Sequence, residues 1–566
     1  MRTDAHSLTG SDPALRWRSW PLWQKLLICA AATIAVWLPR TSSLDRFITP
    51  DENAWSGRAE HFRAALAEGN YAGTFQTEHP GVTTMWAGAA GRLLGAPAFS
   101  RGGLAGGDPT IAAGRFFAVL ANSLALGLAF YFAWRLFGLV TALVGLLLIA
   151  LYPFHMAHSR ILHLDGMLSS FLLLSLLGYL SYLRGRRPVD LVISGAAAGL
   201  SWLTKSPGLF LIPLVALLVG LDLARCLRAE GRPALARLLW RAAWPLVLWF
   251  LCGAGIFVLL WPAMWVDPVG TATRVLAPAL GHARGGHGDP VFFGGRIYPD
   301  GRIDASVWWF YPVAYLWRTT PLVLMGLLAA GVAFVWKVGP LDRPNARRAV
   351  AGLVTFALLY AVLMNLGAKK FDRYLLPAFA PLDLVAAVGW VALAGWVGRV
   401  VRSRFPDMVA VRAGVGLLLL GLIVLAQSAL SLPARPYYLS YYNPLLGGGR
   451  RAPEVLMVGW GEGLDQAGRY LSARPDGHQL QVASWYVPCF APFFSGVTRG
   501  IPLETELGDE QVRNLLGSDY LVIYAHQWQR QMPRDLLDRL SGEDPVLRVE
   551  INDLEYARVY AGSPSE

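Results

Sequence analysis

Two kinds of connector separate the apolar stretches of this chain, and they do not mix. One kind is short and rich in arginine: Arg184-Gly-Arg-Arg187 and residues 225–241, 337–348 and 399–412. The other carries carboxylates, histidines and single lysines: Asp51-Glu52, His79-Pro80, residues 158–165, Thr204-Lys205 and residues 369–373. Arginine beside an apolar span favours the cytoplasmic face of a bilayer. Threaded accordingly, every basic loop falls on the cytoplasmic side and every chemically equipped loop on the other. A chain sorted in this way builds its site at the outer membrane surface, where a lipid can reach it.

Of the 566 residues, 54% are hydrophobic and only 16% charged, which excludes an ordinary soluble domain. A net charge of +12 would suggest nucleic acid in a soluble protein. Here the arginines flank spans, so topology accounts for them and no nucleic-acid partner is expected. Cys29 and Cys252 fall within spans, Cys226 in a basic loop and Cys489 outside. No exported pair can form a disulfide, and no CxxC spacing suggests zinc or redox work. Apolar sequence begins at Leu26 with no small-residue cleavage site after it, so the first span reads as uncleaved.

A helical crossing needs about 20 apolar residues. Eleven segments qualify, centred on 22–39, 116–134, 139–152, 167–183, 191–203, 208–221, 244–261, 322–336, 350–366, 374–397 and 415–430. The fifth and sixth could be one helix broken at Thr204-Lys205-Ser206-Pro207. Only two crossings, however, return loop 225–241 to the side of Arg184 to Arg187. The expected protein is mainly α, a multi-pass protein of the plasma (inner) membrane with a cytoplasmic N-terminus. Its transmembrane domain occupies residues 1–430, and a small α/β extracytoplasmic domain occupies 431–566.

Two outer loops are long. Loop 40–110 shows amphipathic helical patterns at 51–68 and 82–94, expected to lie in the interface plane. Loop 264–317 is glycine-rich and reads as a mobile loop that closes over a site. In the tail, 479–485, 520–524, 546–551 and 555–560 read as strands, and 464–471 and 512–516 as helices.

Asp51-Glu52 follows the first span and opens an interfacial helix. Capping explains such a pair on its own, but a carboxylate at the bilayer surface can also be tuned as a general base. His79-Pro80-Gly81 is either a turn or part of a site. His158-Ser159-Arg160 and His163-Leu164-Asp165 form the densest polar cluster. Arg160 can bind phosphate bidentately, and Asp165 at a span entrance is costly unless paired or used. A metal site from His155, His158, His163 and Asp165 is conceivable by ligand type, although the spacing is irregular for one helical face. Lys205, Lys369 and Arg373 sit at outer span ends. Snorkelling would explain lysines there, yet their side opposes the positive-inside bias, and an anionic lipid phosphate would rationalise them. A carboxylate base beside several cations suits glycosyl transfer from a polyprenyl-phosphate sugar: the attacking hydroxyl loses a proton and the leaving phosphate gains charge.

These residues resemble, over about 20–430, the polyprenyl-phosphate-sugar-dependent transferases of the GT-C fold, which include protein O-mannosyltransferases and the lipid A aminoarabinose transferase. Asp51-Glu52 followed by Arg58, Phe62, Leu66 and Gly69 looks like the family's signature loop, and His79-Pro80 is similar to its His-Pro element. Ser159-Arg160 through Asp165 looks like its second acidic motif. Leu203-Thr204-Lys205 and Arg373-Tyr374-Leu-Leu-Pro377 match recurring elements. The resemblance implies Asp51 as catalytic base with Glu52 supporting it, and Asp165 organising the acceptor or sugar site. It implies Arg160, Lys205, Lys369, Arg373 and Arg58 as donor-phosphate ligands, and His79 and His163 in the acceptor or sugar pocket. It further implies inversion in a single displacement, no required cofactor or metal, and a protein, lipid or glycan acceptor. Gly81 replaces the second proline usual in the mannosyltransferases, and there is no β-trefoil insertion. The tail motifs Tyr441-Tyr-Asn-Pro-Leu-Leu-Gly447 and Gly459-Trp-Gly-Glu-Gly-Leu-Asp465 look like those of a bacterial subgroup. The rival class is a transporter or flippase, whose intramembrane charges usually come with paired broken helices; this sequence has one break, at Ser206-Pro207. A non-catalytic scaffold fits the clustered polar residues less well.

Overall fold

The computed structural model describes residues 20–95, 107–230, 235–282, 285, 288–404 and 409–562. Among them, seven helices are long and apolar enough to cross a membrane, or eight if the pair Leu139–Ala150 and Pro153–Ser159, bent by 69°, is one broken span. Three further apolar helical segments, Pro188–Thr204, Ala243–Leu259 and Gly421–Ala434, fall at other expected spans, the last two within the longer helices Leu235–Leu259 and Val409–Ser431. The helix Leu164–Gly185 runs through the centre with 94% of its apolar window buried. Its leucines cover all faces, as a helix surrounded by others requires. Helices Pro109–Phe137, Pro188–Thr204 and Leu376–Arg404 pack around it.

Asp51 is carried by the helix Pro50–Ala67, whose start is closed by Glu52: its carboxylate accepts from the Thr49 N–H at 2.9 Å and its own N–H donates to the Thr49 carbonyl at 3.1 Å. The next helix of the same connector, Val82–Ala90, begins after Gly81 at φ +57°. A Cβ there would lie 2.1 Å from the Trp55 ring, so glycine sets the approach of the two helices.

The loop expected to be mobile is largely folded, which corrects the sequence expectation. It holds the helices Pro268–His282 and Phe310–Arg318 and a hairpin of β1 (Val291–Phe293) and β2 (Arg296–Tyr298). Its glycines have local work: Gly294 and Gly295, both at positive φ, form the two-residue turn. Phe293 then bridges to Leu456 in the tail. Residues 283–284 and 286–287, within its glycine-rich stretch, lie outside the described set.

The tail forms a five-stranded sheet of β3 (Gln481–Ser484), β4 (Val497–Gly500), β5 (Tyr520–Tyr524), β6 (Leu547–Ile551) and β7 (Leu554–Ala561), in the order β4-β3-β5-β7-β6. β3 pairs in parallel with β4 and β5, and β7 runs antiparallel to β5 and β6. The short edge strand β4, Val-Thr-Arg-Gly, has too little apolar alternation to be read from sequence. One buried cluster joins Phe47, Phe154 and Tyr311 to Tyr438, Trp460 and Tyr524, so the tail packs directly on the end of the bundle that carries Asp51.

Candidate active site

Asp51 and Asp165 each occupy the second position of a helix, Pro50–Ala67 and Leu164–Gly185, where the free N–H groups and the helix dipole favour a carboxylate. The two helix starts meet across His163. Its Nε2 is 3.3 Å from Asp51 Oδ2 and its Nδ1 is 3.4 Å from Asp165 Oδ2. Arg373 bridges the same two carboxylates, with Nη2 3.6 Å from Asp51 and Nε 3.5 Å from Asp165. Lys205 Nζ donates to Asp165 Oδ1 at 2.7 Å and lies 4.4 Å over the Tyr374 ring. Five residues from four separate parts of the sequence thus form one charge cluster.

The two carboxylates are not equivalent. Asp165 is 2% exposed, while the Asp51 side chain is 43% exposed and faces a cavity of about 210 Å³. The opposite wall comes from the tail, including Trp460, Glu462, Tyr486 and His526. Trp460 closes the cluster from above: its ring lies 4.9 Å edge-on from His163 and 4.2 Å from the Arg373 guanidinium. It is held by Gly459 and Gly461, both at positive φ, and Gly461 accepts no Cβ because Ile48 O would be 2.2 Å away. The motif Gly459-Trp-Gly-Glu-Gly-Leu-Asp465 was visible in the sequence, but nothing local said which surface it would meet. Trp460, Tyr486, His526 and the buried pair Arg318–Asp372 (2.7 Å) are site residues that sequence reasoning missed.

The remaining expected residues fall elsewhere. Glu52 is fully buried and holds Arg115 through two contacts, 2.6 and 2.5 Å, while accepting from the Thr49 and Leu162 N–H groups. It anchors the turn that presents Asp51 and cannot reach the cavity. Arg160 donates to the carbonyls of Ser42 and Ser43 and lies 5.2 Å from the Tyr438 ring. It braces the segment before Asp51 rather than joining the cluster. Arg58 lies over the Trp55 ring at 4.6 Å, two turns beyond Asp51 on the same helix face. His79 is half-buried in the turn before Val82–Ala90, which the Gly81 N–H ties to Thr204 O at 3.1 Å, beside Lys205. Lys369 stands close enough to feel Arg373, Lys205 and Asp51. Of the four possible metal ligands, His155 turns away to Arg40 at 3.4 Å. Among the described residues no group of three or more His, Cys, Asp or Glu is arranged to hold a metal ion.

Protonation follows from these contacts. Burial alone would raise the Asp51 carboxyl, but the His163 contact and the Arg373 charge outweigh it and hold it well below the ordinary carboxylate range. For His163, burial opposes the charged form and the two flanking carboxylates more than compensate, raising its pKa above the ordinary value of 6.5. Burial and the neighbouring cations Arg373 and Lys205 lower Lys369. With His163 charged, two carboxylates face the cations His163, Lys205, Arg373 and Lys369. The excess of positive charge suits an anionic ligand.

Residues 99–252 match the family described as dolichyl-phosphate-mannose-protein mannosyltransferase. Among solved structures, the chain is similar to ArnT from Cupriavidus metallidurans bound to undecaprenyl phosphate, at 15% identity and a TM-score of 0.43, covering 96% of this chain and 100% of that one. It is also similar to the Archaeoglobus fulgidus oligosaccharyltransferase, at 12% identity and a TM-score of 0.44, covering 90% and 70%. The S. cerevisiae Pmt1-Pmt2 O-mannosyltransferase complex bound to the sugar donor gives 17% identity and a TM-score of 0.33, covering 46% and 35%. No curated protein matches the chain. The structural likenesses are loose and assign no residue.

Proposed function

We propose that this chain, a membrane glycosyltransferase using a polyprenyl-phosphate-linked sugar, works through Asp51 as general base and through Lys205, Arg373 and Lys369 as ligands of the donor phosphate. The observation that carries the reading is the half-open Asp51 carboxylate, set in a cluster with surplus positive charge at one end of the helical bundle. The acceptor hydroxyl gives its proton to Asp51 as its oxygen attacks the anomeric carbon. The bond from that carbon to the phosphate oxygen breaks, and the phosphate leaves with the electron pair, its charge met by the cations. Attack opposite the leaving group inverts the centre.

The depressed Asp51 pKa fits a donor-gated base. In the resting cluster Arg373 and His163 hold the carboxylate ionised and weakly basic. A phosphate that draws off Arg373 and Lys205 lets the Asp51 pKa climb, so basicity rises when the donor is in place. Asp165 then positions Lys205 and His163, and Glu52 and Arg160 hold the Asp51 turn.

Eleven crossings in a membrane domain of residues 1–430 are supported by the seven long helices, the bent pair and the three shorter apolar segments. The arginine-rich loops support an N-terminus in the cytoplasm and residues 431–566 outside. The acceptor is a hydroxyl of a protein, lipid or glycan at the outer face.

The test is transfer by purified protein in detergent, offered radiolabelled polyprenyl-phosphate sugars and membrane extract. Labelled product from wild type and none from Asp51→Asn supports the reaction and its base. Equal transfer by both removes Asp51 from the chemistry. No transfer from any donor by folded protein favours a transporter.

A further inference from the structure

We infer that Arg530 forms a second anion subsite in the Asp51 cavity, seating the carboxylate or phosphate of an acidic sugar residue that is the acceptor. The inference rests on the reading of Asp51 as the transfer base and names the class of molecule that base serves.

Arg530 ends the short helix Ala525–Arg530 that follows β5, and it lines the same cavity as Asp51. It is 8% exposed. Its Nε is buried with no hydrogen-bond partner among the described residues, and its guanidinium carbon lies 5.9 Å from the Trp485 ring. The other buried arginines have hydrogen-bond acceptors: Arg40 and Arg160 donate to backbone carbonyls. Arg115 is paired with Glu52, Arg135 with Asp190 and Arg318 with Asp372. A buried guanidinium with neither a counter-ion nor a hydrogen-bond acceptor is strongly unfavourable unless a ligand supplies one.

The other charges of the cavity do not supply it. Asp372 is held by Arg318, and Asp51 by His163 and Arg373. Glu462 turns inward, accepting from the Trp460 N–H and the Tyr524 hydroxyl. Asp289 lines the cavity but makes no ion pair with Arg530 among the described residues.

The surroundings fix the kind of ligand. Trp485 and Tyr486 offer flat faces beside the guanidinium, and the Tyr486 hydroxyl is fixed by His526 Nδ1 at 2.7 Å. Aromatic faces next to a planar cation suit a sugar ring bearing an acid. A cavity of about 210 Å³ admits one such residue, not a folded surface. The donor phosphate has its own cations on the membrane side, Lys205 and Arg373, so Arg530 on the tail side is left for the acceptor.

Calorimetric titration of the full-length protein in detergent tests this with sodium glucuronate, with glucose at matched ionic strength as the neutral control, and with undecaprenyl phosphate for the donor site. Glucuronate should bind saturably and glucose should not. Arg530→Gln should weaken glucuronate about ten-fold or more, with Arg530→Lys recovering part of the loss and Asp51→Asn still binding. Undecaprenyl phosphate should be weakened by Arg373→Gln and not by Arg530→Gln. No saturable glucuronate binding to wild type, or equal binding by a folded Arg530→Gln, overturns the inference. Loss of undecaprenyl phosphate instead of glucuronate in Arg530→Gln also overturns it and assigns Arg530 to the donor. Release of labelled sugar from the donor by wild type is followed in parallel. Its absence overturns the transferase reading and leaves the glucuronate result standing.

Discussion

The guanidinium of Arg373, at the start of a membrane helix, lies 4.2 Å over the indole of Trp460 in the C-terminal tail. With Phe371 at 4.5 Å and Tyr374 at 5.5 Å, that indole forms the aromatic seat of a cation that touches both Asp51 and Asp165. Trp460→Ala removes the indole from this seat while leaving every charge in place. Half-buried cation–π contacts are worth about 1–2 kcal/mol, so kcat/KM for the polyprenyl-phosphate donor should fall about 5- to 30-fold, with Trp460→Phe in between. Initial rates at varied donor concentration check this.

Neighbouring acids should fail in opposite ways. Glu52→Gln leaves the buried Arg115 charge without its carboxylate, and breaking such a pair costs about 3–5 kcal/mol. The thermal midpoint should drop accordingly. Asp51→Asn, at a half-open position, should melt near wild type and transfer no sugar. Parallel melting curves and transfer assays separate the two; similar melting of both variants would remove Glu52 from its anchoring role.

The tail's grip on the Asp51 turn depends on Gly461. Its φ of +104° is disfavoured for other residues, and an added Cβ would lie 2.2 Å from Ile48 O, one residue before the Thr49 cap. Gly461→Ala should cost about 2 kcal/mol or more and lower transfer by shifting the Pro50–Ala67 helix start. Melting and activity should fall together.

The long spans and the Asp51 helix were legible because hydropathy and capping are local: Pro50 and Glu52 mark a helix start in any context. The tail strands at Tyr520–Tyr524 and Leu554–Ala561 were legible by alternation. The site was legible only in part. Asp51, His163 and Asp165 stood out as polar residues crowded beside spans, and Lys205 and Arg373 as cations opposing the positive-inside bias. Trp460 and Arg530 did not, because an aromatic or an arginine in a soluble tail is ordinary until the fold sets it over a membrane carboxylate. Glu52 and Arg160 looked like chemistry and are bracing, since sequence cannot show that Arg115 and the Ser42 and Ser43 carbonyls occupy them.

His163 gives the cluster a pH signature. Its pKa is raised in the folded protein, so its contribution is fully present below the unfolded value of about 6.5 and fades as pH rises through the folded value. Asp51, being depressed, contributes above its ordinary value and fades only as pH falls through its folded value. The gap in thermal midpoint between wild type and His163→Gln should therefore be widest near pH 6 and narrow toward alkaline pH. A gap that widens with pH would mean His163 is neutral between its two carboxylates.

Arg373 should also set the acid limb of the reaction. Its charge is among the causes that hold the Asp51 carboxyl low, so Arg373→Gln lets that pKa rise. The acidic limb of kcat/KM should then move to higher pH, while the donor KM rises because a phosphate ligand is gone. Lys205→Met keeps Arg373 beside Asp51 and should raise the donor KM with a smaller displacement of the limb. Because Lys205 and Arg373 share Asp165, their double variant should lose less than the product of the single losses. Profiles for the three variants against wild type decide it: an acid limb that stays fixed in Arg373→Gln would separate Asp51 from proton transfer and leave Arg373 only in donor binding.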